Sequence, residues 1–263
     1  MKRIFASLAL AVSLSACGVS QQQEIQMGQE YSQQINAQLP IVSDPEINRY
    51  VNVLGDQIAS LTSRADLPWR FYVVDSREVN AFAVPGGYIY VNRGLIERTT
   101  QMDELAGVLG HEIGHVVRRH SIEQMEKAQG ANVGVTLACI LTGVCNSQVA
   151  QAGINIAGSA VFARFSRQDE LEADQEAVTN TVRARINPQG IVTMFQKLIA
   201  ERKSRPGAVE GWFATHPLEE DRIAAAQQMI NAIPSSQRTN LTSNTANYRT
   251  FVARVRSLPA PRQ

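Results

Sequence analysis

The stretch Gly107-Val-Leu-Gly-His-Glu-Ile-Gly-His-Val-Val-Arg-Arg-His120, GVLGHEIGHVVRRH, holds three of the four histidines in the chain, and two of them bracket a glutamate as His-Glu-x-x-His. Residues four apart on a helix share a face, so His111 and His115 project together. Imidazole nitrogens at that spacing can bind one zinc ion. Glu112, between them, is placed to act on a water held by the metal instead of ligating it. Gly107, Gly110 and Gly114 each cost about 1 kcal/mol in a helix interior. Three together point to close approach by another backbone: a substrate strand, a packed helix, or both.

A catalytic zinc needs a third protein ligand. His120 is not expected to supply it, because five residues past His115 lies about 140° around a continuous helix. It reads instead as a helix C-terminal residue, favoured there by the dipole. A carboxylate further on is the better candidate, and Phe165-Ser-Arg-Gln-Asp-Glu-Leu-Glu-Ala-Asp174 is the richest stretch. Glu170 and Asp174 share one helical face, and Glu172 points nearly the opposite way. One carboxylate there can hold the metal while its neighbour accepts a hydrogen bond from a ligand histidine. A solvated acidic face is the plainer alternative. The fourth histidine lies in Thr215-His-Pro-Leu-Glu-Glu-Asp-Arg222, before a helix begun by Pro217. A surface cap is one reading of His216; the other puts His216 and Arg222 over the metal.

Working outward, the helix carrying the stretch is expected over Met102–His120, with Asp103 and Glu104 in its first turn, where the dipole favours acids. Asp44-Pro45 starts another helix, with Asp44 as cap and Pro45 at its first position. Trp69–Val74, Asn80–Val84 and Tyr88–Val91 read as extended segments, the last two joined by a turn at Pro85-Gly-Gly87. Helices are expected over Gln26–Leu39, Gln168–Ile186, Pro188–Lys203 and Leu218–Ile233, with a loop over Glu210–His216. Residues 128–163 are rich in small residues and almost free of charge, which suggests a helical hairpin. The tail after residue 233 is polar, with an amphipathic pattern near Tyr248–Leu258.

The N-terminus has Met1-Lys-Arg followed by an apolar run from Ile4 to Leu14. The run is too short to span a bilayer, and it fits a signal peptide over residues 1–16. Leu14-Ser-Ala-Cys17 resembles a bacterial lipoprotein box, so Cys17 is the expected lipidation site and the route to a membrane. Gly18 after it favours the outer membrane by resemblance to Gram-negative sorting signals. Residues 17–25 would then be a tether. Cys139 and Cys145 remain as an even pair in an oxidising compartment, joined as a disulfide or left as two buried thiols. A formal net charge of +1, with charges mixed along the chain, gives no electrostatic argument for a nucleic-acid partner.

Four motifs together resemble a zinc metallopeptidase family, the one that includes HtpX, the CAAX prenyl endopeptidase, BepA and LoiP. They are Asn80-Ala-Phe-Ala-Val-Pro-Gly-Gly87, His111-Glu-Ile-Gly-His115, Ser166-Arg-Gln-Asp-Glu-Leu-Glu-Ala-Asp174 and Thr215-His-Pro217 followed by Arg222. The chain looks most like the small lipoprotein members. The resemblance implies an α+β, mainly helical fold of the gluzincin type, with a small β-sheet beside the His-Glu-x-x-His helix. It implies a metallopeptidase domain over residues 26–233; the polar C-terminal tail over 234–263 lies outside the resemblance. It further implies zinc on His111, His115 and Glu170, with Glu112 as catalytic base and Asp174 supporting a ligand. His216 and Arg222 would lie near the substrate, stabilising an oxyanion, and His216 can itself reach the zinc. Asn80, Ala81, Phe82 and Ala83 would form the edge strand to which an extended substrate adds. The expected function is a zinc endopeptidase facing the periplasm, acting on misfolded or misassembled envelope polypeptides alongside envelope assembly or protease partners. The rival is a zinc-binding assembly factor or chaperone with little hydrolysis.

Overall fold

A computed structural model describes residues 18–130, 164–217 and 220–260. The signal-peptide segment, Cys17, Cys139 and Cys145, and nearly all of the proposed small-residue hairpin lie outside the described residues.

The elements run α1 (Gln21–Gln38), α2 (Pro45–Ala59), β1 (Arg70–Val74), β2 (Ala81–Val84), β3 (Tyr88–Asn92), α3 (Arg93–Ile96), α4 (Met102–Val117) and α5 (His120–Gly130). They continue with α6 (Arg167–Arg183), α7 (Gln189–Ser204), α8 (Glu210–Thr215), α9 (Glu220–Ala232) and α10 (Ala246–Ser257). The fold is thus mainly helical with one three-stranded sheet, ordered β1-β3-β2. β3 is parallel to β1 and antiparallel to β2. The β2–β3 turn places Gly86 and Gly87 at φ of 80° and 99°, a region that only glycine enters without strain.

Alternation along the strands divides the sheet into two apolar faces. Phe71, Val73, Ala81, Ala83, Ile89 and Val91 join the main core with α2 and α4. Val74, Phe82, Val84, Tyr88 and Tyr90 form a second cluster with Ile35 of α1 and Ile122 and Met125 of α5. A sheet that is apolar on both sides needs cover on both. That requirement explains why α1 begins at Gln21, inside the segment read as a tether. Glu24 of α1 is buried and takes two bonds of 2.9 Å from Arg64, which also donates to the Val116 carbonyl at the end of α4. The amphipathic pattern near Tyr248–Leu258 is a helix, α10. Tyr248, Phe251, Val252 and Val255 of α10 repeat at helical spacing and enter the main core. The Phe251 ring stacks on Tyr50 of α2 at 4.3 Å between centroids.

The glycines of α4 prove to be notches for helices. A Cβ at Gly114 would stand 2.8 Å from the Ala173 carbonyl of α6, and one at Gly107 would stand 2.8 Å from the Ile191 nitrogen of α7. Both distances are shorter than real Cβ contacts allow, so side chains at these positions would push α6 and α7 away from the histidine face. β2 is an edge strand as expected, yet Asn80, Ala81, Phe82 and Ala83 are all buried.

Candidate metal centre

Two helices build the centre. At the start of α4, Glu104 accepts from the nitrogen of the N-cap residue Gln101 at 3.3 Å, holding the chain at the helix entry. At the start of α6, Ser166 and Asp169 form a reciprocal capping box. That start places Glu170 in the first turn and Asp174 one turn on, both facing α4 and both buried, while Glu172 stays partly exposed. The shared face read from the sequence is therefore the inner face of α6, and the solvated-face alternative falls.

His111, His115, Glu170 and His216 each offer one atom to a group whose members all lie within 4.8 Å of one another. His115 Nε2 lies 3.1 Å from His111 Nε2 and 3.4 Å from Glu170 Oε1. His216 Nδ1 lies 3.3 Å from His111 Nε2 and 3.1 Å from Glu170 Oε1. Donors held about 2.0–2.1 Å from a tetrahedral ion stand about 3.3 Å apart, so this set fits such an ion. His111 Nδ1 donates to Asp174 Oδ1 at 2.8 Å, which leaves His111 Nε2 bare and turned toward the other donors.

Glu112 is fully buried and close to this set. Its Oε1 is 3.4 Å from His216 Nε2, but neither carboxylate oxygen accepts a hydrogen bond from the described residues. A buried acid without donors is expensive unless a partner arrives, and burial pushes its carboxyl above the usual range against the opposing charges of His216 and His111. Burial alone would raise Glu170 too. There the charges of His216 and Arg222 prevail and hold it well below the usual carboxylate range.

Arg222 lies where the sequence put it, near the centre, with four of its five N–H groups in hydrogen bonds to the described residues. Nε and Nη2 each donate to Asp174 at 2.8 Å, and Nη1 donates to Glu170 and, at 2.9 Å, to the Pro217 carbonyl. The guanidinium rests over the Phe195 ring at 4.7 Å. His216 does not sit in a loop: it caps α8, donating its backbone N–H to the Trp212 carbonyl at 2.8 Å. Six residues are too few to show a helical period, which hid α8 from sequence reading. Trp212, with its ring 4.6 Å from His216, and Phe165, stacked 3.9 Å from His115, wall the donors in. Neither was singled out from the sequence, since a lone aromatic carries no spacing signal. His120, expected as the C-terminal residue of the motif helix, instead opens α5 and lies buried against His115.

By class, this combination of fold and centre is a metallopeptidase. The model of Peptidase family M48 matches residues 45–230, and the chain belongs to that family. The beta-barrel assembly-enhancing protease of Escherichia coli (strain K12) is 33% identical over 218 residues, covering 80% of this chain and 44% of that protein. The chain therefore spans less than half the length of that relative. Metalloprotease LoiP of the same organism is 30% identical over 181 residues, 69% of this chain and 68% of the relative. The mitochondrial metalloendopeptidase OMA1 of Schizosaccharomyces pombe is 28% identical over 181 residues, 69% of this chain and 52% of the relative.

Proposed function

We propose that the chain is a zinc-dependent endopeptidase of the bacterial cell envelope, acting on misfolded or misassembled outer-membrane or periplasmic polypeptides. The observation that carries the chemistry is the buried four-donor set with Glu112 beside it, its carboxylate free of donors. The envelope setting rests on the lipoprotein-like N-terminus with Cys17 and on the name of one relative, the beta-barrel assembly-enhancing protease. His111, His115 and Glu170 would hold the ion, and the chemistry that zinc supplies when bound is polarisation of a carbonyl and acidification of a water. Glu112 takes the proton of the attacking water and returns it to the leaving nitrogen. Asp174 orients His111. Arg222 donates to both Asp174 and Glu170 and so braces the two carboxylates beside the donor set.

His216 has two tasks. In the closed arrangement it completes the donor set, so a substrate has to displace it. Once displaced, it can donate to the developing oxyanion. His216→Ala is expected to lose about 2.7–4 kcal/mol of transition-state stabilisation, as oxyanion donors do elsewhere. Initial cleavage rates on an unfolded protein substrate, with metal content checked, test this; a variant as fast as wild type would make His216 purely inhibitory.

The donor assignment is tested separately. His111→Ala and Glu170→Ala are expected to lose bound zinc in native mass spectrometry, and Glu172→Ala to keep it. The opposite result for the two glutamates would reverse the facing of α6. Casein degradation by wild type but not by Glu112→Gln separates the peptidase from an assembly factor that merely binds zinc.

A further inference from the structure

We propose that His120 is the positioning residue for His115, fixing the tautomer and orientation of that metal donor through an imidazole-to-imidazole hydrogen bond. The inference rests on the reading of His115 as a ligand. His115 Nδ1 and His120 Nδ1 lie 2.9 Å apart, with His115 1% and His120 2% exposed. One of these nitrogens must carry the proton, and the surroundings decide which. His115 Nε2 faces His111 Nε2 and Glu170 Oε1 and must be bare to bind an ion. A neutral imidazole then carries its proton on Nδ1. His120 Nδ1 must therefore be the acceptor, and the proton of His120 sits on Nε2. That atom makes no hydrogen bond of its own among the described residues; the nearest acceptors, Glu172 Oε2 at 3.6 Å and Asp169 Oδ1 at 3.9 Å, lie at ion-pair range and favour a proton on that side of the ring.

The backbone is built to permit this. In a continuous helix His120 would point about 140° away from His115. Arg119 interrupts the helix at φ 61°, a conformation uncommon outside glycine, and His120 turns back to reach His115. The Arg119 guanidinium is held by the Val19 carbonyl and, at 3.3 Å, by Glu24. The two histidines of the motif are thus supported differently. His111 leans on a carboxylate shared with Arg222, and His115 leans on a second imidazole.

Zinc affinity of the full chain, measured by competition with a chromogenic chelator, gives the first test. His120→Phe keeps a ring but has no acceptor and is expected to bind zinc about 10–100-fold more weakly, the usual effect of losing a partner behind a ligand histidine. His120→Asn places an amide oxygen near the lost nitrogen and is expected to recover most of that affinity. The visible spectrum of the cobalt-loaded protein should shift in the Phe variant and return toward wild type in the Asn variant. Wild-type affinity and spectrum in His120→Phe would overturn the proposal, as would equal losses in both variants. His111→Ala is the control: if it keeps zinc, the metal centre itself is wrong, whereas its loss beside an unaffected His120→Phe sinks only this inference. Should the Phe variant fail to fold, ¹⁵N-histidine spectra of the zinc-loaded wild type decide. Protons on His115 Nδ1 and His120 Nε2 support the proposal; a proton on His120 Nδ1 refutes it.

Discussion

Glu112→Gln is expected to retain its zinc and lose about 10²–10⁴-fold in kcat, the usual contribution of a positioned general base. Glu112 is not in the donor group, and its oxygens accept no hydrogen bond from the described residues. Metal binding should therefore survive an amide at this position. Folding should survive as well, because the variant removes a buried acid that gains nothing from donors in the resting state. Burial raises the Glu112 carboxyl, which makes it a stronger proton acceptor. The amide cannot accept a proton at neutral pH, so the loss should fall on turnover and leave substrate affinity largely intact. Rates on an unfolded substrate, read beside zinc per chain, check this. A Gln variant within about ten-fold of wild type would remove Glu112 from the role of base.

Arg222→Met is expected to destabilise the protein by about 3–5 kcal/mol, the usual cost of breaking a buried ion pair from one side. The guanidinium is the cation shared by two fully buried carboxylates one helical turn apart. Without it, Glu170 and Asp174 repel one another where water cannot screen them. At about 2–4 °C per kcal/mol for a chain of this size, the melting temperature should drop by roughly 6–20 °C. The drop should be larger with the metal chelated, since a bound dication supplies positive charge to Glu170. Arg222→Lys should recover part of the loss, because an ammonium keeps the charge but not the two-pronged geometry. Lost turnover at unchanged stability would instead favour an oxyanion role. The pairing also carries a pH signature. Both carboxyls are held below their usual range, so their contribution is complete above the unfolded-state values, about 4. It is lost as pH falls through the lowered folded-state values.

Much of the centre was legible because it is periodic. Four-residue spacing puts His111 with His115 and Glu170 with Asp174 on any helix, whatever surrounds it. The capping residue Asp44 announces its helix start through bonds to backbone nitrogens two and three positions away, which are also local; Ser166 caps α6 in the same way, two residues before the expected start at Gln168. The glycines of α4 announced a close approach, though not by what. Tertiary structure decided everything that depends on partners far along the chain. His111 meets Asp174 63 positions away and His216 105 positions away, and no spacing rule spans such gaps. Arg222 reads as a residue over the metal, but its bonds to Asp174 and Glu170, 48 and 52 positions away, show only in the fold. Glu24 and the α10 residues look like parts of polar ends until a two-faced apolar sheet and the outer side of α2 require cover. His120 turned on a single dihedral angle: a left-handed Arg119 converts a residue pointing away from the metal face into one that touches it. Local spacing fixes which face a side chain occupies while the helix continues; only packing determines where the helix stops and what waits across from it.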